Sequence, residues 1–235
     1  MKRKQKEKIQ IANTNLNDSH LIYGLGFKRL MLKFLLVSSL LAGTVLTIIL
    51  YYQTRFFAVT EAEKKINELL LQQKSIHDYI TNHQKPEIYR LKDNKILYEE
   101  YFSPQLLSGS YIARNIHSYY NQYRKNSGME DFYYKLAATN PRNPINQADE
   151  FEQRLIDRFN SSGEDKYTEI IKHNGIQYLY VAFPFLPNSG NCMRCHGKPD
   201  AAPKELIEIY GDIAGFYEEE GNMRAITSIR VPLEI

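Results

Sequence analysis

The chain has 235 residues, 43% of them apolar and 24% charged, with a formal net charge of only +3. That length suits one membrane anchor and one domain of ordinary size, roughly 100–200 residues. The positive excess gathers near the N-terminus, at Lys2, Arg3, Lys4, Lys6, Lys8, Lys28, Arg29 and Lys33, so the chain as a whole offers no basic face, and no nucleic-acid partner is expected.

Residues 1–29 read as a short polar arm without fixed structure. The run FLLVSSLLAGTVLTIIL, from Phe34 to Leu50, carries no charge. With its flanks it gives a transmembrane helix over residues 30–52. A cleaved signal peptide fits poorly. The basic segment ahead of the run is too long, Ala42 and Gly43 lie inside it, and no Ala-x-Ala site follows. The positive-inside rule then puts residues 1–29 in the cytoplasm and residues 53–235 outside, as a single-pass protein of the cytoplasmic membrane.

Beyond the anchor, Ile66, Leu69, Leu70, Ile76 and Ile80 recur at helical spacing, predicting a helix from Ala58 to Gln84 that Pro86 terminates. A second helix covers Ser110 to Tyr123. The cluster Asn140-Pro-Arg-Asn-Pro144 is a loop. Asp149 caps a third helix, with Glu152 three residues later and Phe151, Leu155, Ile156 and Phe159 facing inward. From Tyr167 the pattern becomes two strands around Asn174-Gly175, a strong hairpin signal. Pro203 opens a short helix to Tyr210, and Arg224 to Leu233 alternates as a further strand. Helices first and strands later predict an α+β domain with an antiparallel sheet.

The stretch NCMRCHGKPD holds the only cysteines, Cys192 and Cys195, with His196 directly behind them. A zinc site needs about four ligands, and no second ligand pair is in view. A thioredoxin-like pair would open a helix in a βαβ unit, whereas this pair follows a hairpin. A disulfide across two residues would constrain little. The remaining chemistry is covalent haem attachment, for which Cys-x-x-Cys-His is the signature. Both sulfurs reach the vinyl groups of one porphyrin, and the adjacent imidazole faces its iron. Haem c is attached outside the cytoplasmic membrane, which agrees with the expected topology. One covalent haem c per chain is therefore expected.

Four stretches, in order, carry a wider resemblance: YYKLAATNPRNPINQADEFE (133–152), YLYVAFPF (178–185), CMRCHGKPDAAPKELIEIYG (192–211) and AITSIRVPL (225–233). Together they resemble the bacterial haem-c-binding PAS-like sensor domain. That domain forms the extracytoplasmic part of histidine kinases, chemotaxis receptors and cyclic-dinucleotide enzymes. The resemblance implies a PAS-like antiparallel sheet with flanking helices, haem packed against it, and His196 as proximal iron ligand. Some relatives supply the other axial ligand as a cysteine of the N-terminal helix; this chain has no third cysteine. His77 and His83 on the first helix are the candidates instead, with His83 slightly favoured. His117 and Met129 stand behind them, and an open position for water, NO or CO is a further alternative. Arg142 is a candidate partner for a haem propionate or a surface arginine satisfying loop carbonyls. Tyr133, Tyr134, Tyr178 and Tyr180 line the haem pocket or serve as core aromatics.

These readings lead to a membrane-anchored redox or gas sensor for O2, NO or CO. In longer relatives the final strand enters a second membrane helix and a signalling module. Here the sequence stops at Ile235, so signalling through a partner protein is expected, with pairing of two copies a further expectation. The alternative is a membrane-anchored electron-transfer cytochrome. No histidine–carboxylate constellation surrounds the motif, so enzymatic activity is not expected.

Overall fold

The computed structural model describes the backbone of residues 2–233 and the side chains of residues 26–233. The chain divides into two units, residues 1–56 and residues 57–235.

The described residues of the first unit are all helical and belong to helix α1 (Lys2–Tyr79). The arm expected to lack structure is thus helical from Lys2. No proline occurs before Pro86, and residues 2–29 include good helix formers, Lys foremost and then Leu. The basic side chains of Lys2 to Lys8 lie outside the described ones. Among the described residues one helix is long and apolar enough to cross a bilayer, with a mean hydropathy of 2.2 in its most apolar stretch, none of which is buried. Its hydroxyls are compatible with hydrocarbon. Thr44 and Thr47 return hydrogen bonds to the carbonyls of Leu40 and Gly43 at 2.8 and 2.9 Å, so neither leaves an unpaired donor.

The second unit opens on the remainder of α1. The helix does not stop at Pro86. A single π-helical turn, Ile80–Gln84, intervenes, and α2 (Lys85–Asp93) follows at once. Proline lacks an N–H and its ring crowds the preceding turn. The wider π turn, in which Lys85 N–H reaches the carbonyl of Ile80, places the proline at a new helix start, where the missing donor costs nothing. Then come α3 (Pro104–Leu107), α4 (Gly109–Asn126), β1 (Tyr133–Ala138), α5 (Glu150–Ser162), β2 (Tyr167–His173), β3 (Ile176–Pro184), α6 (Gly190–His196), α7 (Lys204–Tyr210) and β4 (Ala225–Pro232).

The four strands form one antiparallel sheet in the order β1-β4-β3-β2. The β2–β3 hairpin turns at Asn174 and Gly175, both with positive φ (49° and 86°), as a tight primed turn requires. Alternation along the strands sorts the core into two layers. Leu179, Val181, Ile229 and Val231 meet Ala62, Ile66 and Leu69 of α1 on one face. Tyr180, Ala182 and Ile226 meet Leu155, Ile156 and Phe159 of α5 on the other. The expected capping box of α5 is formed, with Asp149 accepting from Glu152 N–H at 2.8 Å and Glu152 accepting from Asp149 N–H at 3.1 Å. A third cluster joins Ile88, Phe102, Leu107, Leu206 and Phe216, with Cys195 at its margin. The domain is therefore mixed α+β, a four-stranded antiparallel sheet with flanking helices, in a chain that also carries an N-terminal apolar helix.

Candidate haem site: a thiol–imidazole helix facing a cavity

The motif lies on α6, a short helix that nothing in the apolar pattern announced. Ser189 starts it, its backbone N–H and hydroxyl each 3.4 Å from Cys192 Sγ. On a helix, positions i, i+3 and i+4 share one face. Cys192, Cys195 and His196 have that spacing, and all three line a single cavity of ≈ 450 Å³. Both cysteines are free thiols and half-buried. Burial pushes the Cys195 thiol up, against the opposing pull of Arg142, Lys85 and Lys92.

His196 is held by its Nδ1, 2.8 Å from the carbonyl of Gly215. That acceptor fixes the proton on Nδ1 and leaves Nε2 unprotonated, the tautomer a metal-binding histidine needs. The imidazole is neutral: burial first, then Arg224 and Arg142, lower its pKa to about 3. Backbone bonds from Tyr217 to Gly197 (2.9 Å) and from Glu218 to the His196 carbonyl (3.0 Å) clamp the same loop against the end of α6. Two glycines are structural requirements here. A Cβ on Gly197 would lie 2.6 Å from the carbonyl of Met193. Gly215 has φ +73°, and a Cβ there would lie 2.7 Å from Arg142 Cγ.

The opposite wall comes from α1. Gln73 and His77, one turn apart, both line the cavity. Gln73 is buried with its side-chain Oε1 unpartnered. His77 is half-buried, edge-on to Phe185 at 5.8 Å, and burial foremost lowers its pKa. His83 sits in the π turn, exposed and stacked on Tyr79 at 5.7 Å, and does not line the cavity. The geometry therefore favours His77, where the sequence slightly favoured His83. Both lie on the helix's apolar side by simple 3.6-residue counting, but the wider π turn breaks that count and carries His83 out of line. His117 is in the core, its Nε2 2.9 Å from the carbonyl of Phe132, and Met129 is 48% exposed; neither lines the cavity.

Arg142 lines the cavity, and its guanidinium also holds the protein backbone. One amino group bonds the carbonyls of Cys195 and Gly215 (3.1 Å to Gly215), and the plane stacks on Phe216 at 4.5 Å. Burial foremost lowers its pKa to about 10, and its Nε is buried without a partner. Of the four candidate tyrosines only Tyr134 lines the cavity. Tyr133 and Tyr180 sit in register with Arg230 on the α5 side of the sheet, and Tyr178 shares their face by alternation. Sequence reading missed Arg224, which stands at the head of β4 with Nη2 3.0 Å from His196 Nε2 and Nη1 3.2 Å from Nδ1. It also missed Gln73 and the Gly215 loop.

The donor set fits a covalently held haem better than a bare metal ion. Two thiols and an imidazole converge on one cavity, and among the described residues no group of three or more His, Cys, Asp or Glu side chains could hold a metal ion. The cavity has the size of a small-molecule pocket. Apolar side chains such as Leu136, Phe102 and Phe183 line it, cations such as Lys74 and Arg114 are present for propionates, and Gln73 Oε1 lacks a partner that an occupant could supply.

Fold and site together define a class: an antiparallel-sheet domain with a Cys-x-x-Cys-His helix opening on a ligand-sized cavity. The model of the Tll0287-like family matches residues 53–232, and the chain belongs to that family. Among solved structures, the crystal structure of the cyanobacterial heme-protein Tll0287 aligns at 14% identity with a TM-score of 0.49, covering 74% of this chain and 96% of that one. No curated protein matches.

Proposed function

We propose that the domain binds haem c covalently and serves as a membrane-anchored redox or gas sensor. Cys192 and Cys195 would hold the group as thioethers, His196 would bind its iron through Nε2, and His77 faces the site from α1. When bound, the group supplies a one-electron redox centre and a coordination position for O2, NO or CO. The protein's own residues do the rest. The Gly215 carbonyl orients the imidazole, Phe102, Leu136 and Phe183 exclude water, and His77 stands ready to close the second side. The observation that carries this reading is the fixed Nδ1–H of His196 at 2.8 Å from Gly215, which leaves Nε2 unprotonated while His196 and both cysteines line the same cavity.

The π turn beside His77 supports sensing over simple electron carriage, since such turns are deformable points in helices and recur at functional sites. In this reading the apolar part of α1 anchors the protein in the cytoplasmic membrane, the domain lies outside, and the output passes to a partner protein rather than to a reaction at the site. The test is spectroscopic. Protein made with a haem-c maturation system should keep its colour through acidified acetone, and reduced protein should change its spectrum with CO or NO. Colourless protein defeats the haem reading. Coloured protein that ignores both gases and exchanges electrons rapidly is an electron-transfer cytochrome instead.

A further inference from the structure

Arg224 is a cation at the site to which the haem reading gives no role of its own. Its side chain is half-buried, burial foremost lowers its pKa, and Glu218 is the carboxylate that opposes that effect. It faces His196 with both amino groups, at 3.0 Å from Nε2 and 3.2 Å from Nδ1. The Nδ1 proton already belongs to the Gly215 carbonyl, so Arg224 donates to the Nε2 lone pair. An iron atom would need that same lone pair. Arg224 therefore has to yield its bond when Nε2 takes a metal, and its charge then stays on the wall of the site.

We infer that the charge of Arg224, held against His196, raises the reduction potential of the iron bound by that histidine by disfavouring the ferric state, and that the carboxylate of Glu218, whose backbone is bonded to the same histidine, offsets it. The inference rests on the haem reading above. Its physical basis is Coulomb's law in a poorly screened site, where a fixed cation destabilises the state with one more positive charge. Charges and hydrogen bonds around the first ligand are recognised levers on iron potentials. Glu218 is tied to the same histidine. Its backbone N–H donates to the His196 carbonyl at 3.0 Å, and its carboxylate is half-buried beside the Asn188 amide. Arg142, the other cation near His196, is engaged with the carbonyls of Cys195 and Gly215 and has less freedom to respond.

The two charges make opposite forecasts, which separates tuning from damage. In full-length, haem-loaded protein, Arg224→Gln should lower the midpoint potential measured by spectroelectrochemistry, and Arg224→Lys should restore most of it. Glu218→Gln should raise it. Loss of packing would not move the potential in opposite directions for neighbouring substitutions. If Arg224→Gln fails to load, the Glu218→Gln shift decides alone. Haem-loaded variants with unchanged potentials, or both shifting the same way, overturn the inference and leave the haem reading intact. Wild-type protein that carries no covalent haem overturns both.

Discussion

His196 and Gly215 lie nineteen positions apart, yet Nδ1 of the one rests 2.8 Å from the carbonyl of the other. The Gly215 backbone can present that carbonyl only in its left-handed conformation, φ +73°, with Arg142 packed where a Cβ would be. Gly215→Ala should therefore cost about 1–3 kcal/mol of stability. It should also reduce haem loading, because the imidazole loses its orienting acceptor. Chemical denaturation and the haem-to-protein absorbance ratio measure the two effects. An alanine variant that loads fully and unfolds at the wild-type midpoint would show that the loop is slack.

The two helix histidines should separate cleanly. His77→Ala should open the sixth position, seen as a change in the ferric and ferrous spectra and faster CO binding. His83→Ala should leave both unchanged, since that ring is exposed on Tyr79 outside the cavity. The reverse result would move the second ligand to the π turn.

Lys135 and Glu152 form a buried ion pair at 2.6 Å, with side-chain exposures of 15% and 3%. Glu152 also completes the α5 capping box. Lys135→Met strands a buried carboxylate and should cost about 3–5 kcal/mol. Adding Glu152→Gln, which keeps a side-chain acceptor for the cap, should recover part of that loss. Urea denaturation of the single and double variants measures the coupling.

His117 gives the protein a pH dependence that does not involve the cavity. Burial lowers its pKa from 6.5, against the raising effect of the Phe132 carbonyl, and its Nδ1 is buried without a partner. A histidine with a depressed folded-state pKa binds more protons when unfolded. Its contribution is therefore intact above pH 6.5 and is lost as pH falls from 6.5 towards the folded-state pKa, at up to about 1.4 kcal/mol per unit. His117→Leu should be less stable than wild type at neutral pH, having lost the 2.9 Å bond to Phe132, but its stability should fall less steeply between pH 7 and 5. An unaltered slope would assign the acid sensitivity to other groups.

Much of this fold was legible from local chemistry. Asn174-Gly175 announced its hairpin because the turn needs two positive φ values, and Asp149 with Glu152 announced a cap. Strand β1 went unseen because its pairing partner, β4, lies some ninety residues away and Tyr133–Ala138 alternates only weakly. The helix boundary at Pro86 was misread because a π turn is invisible to a 3.6-residue count. At the site, Cys192, Cys195 and His196 declared themselves by spacing. Arg224 could not, since its meaning lies in a ring twenty-eight positions earlier.

Strand β4 stands between β1 and β3 in the sheet, although it follows both in the chain. During synthesis the two cysteines thus emerge while the middle of the sheet is still missing, and nothing yet covers them from the side that Arg224, Ala225 and Thr227 later occupy. A maturation enzyme would meet accessible thiols on a half-built domain, and the last ladder would then shut the wall behind its product. A premature stop ahead of Ala225 would not shorten this protein slightly; it would leave strand β1 and the β2–β3 hairpin with no strand to pair them.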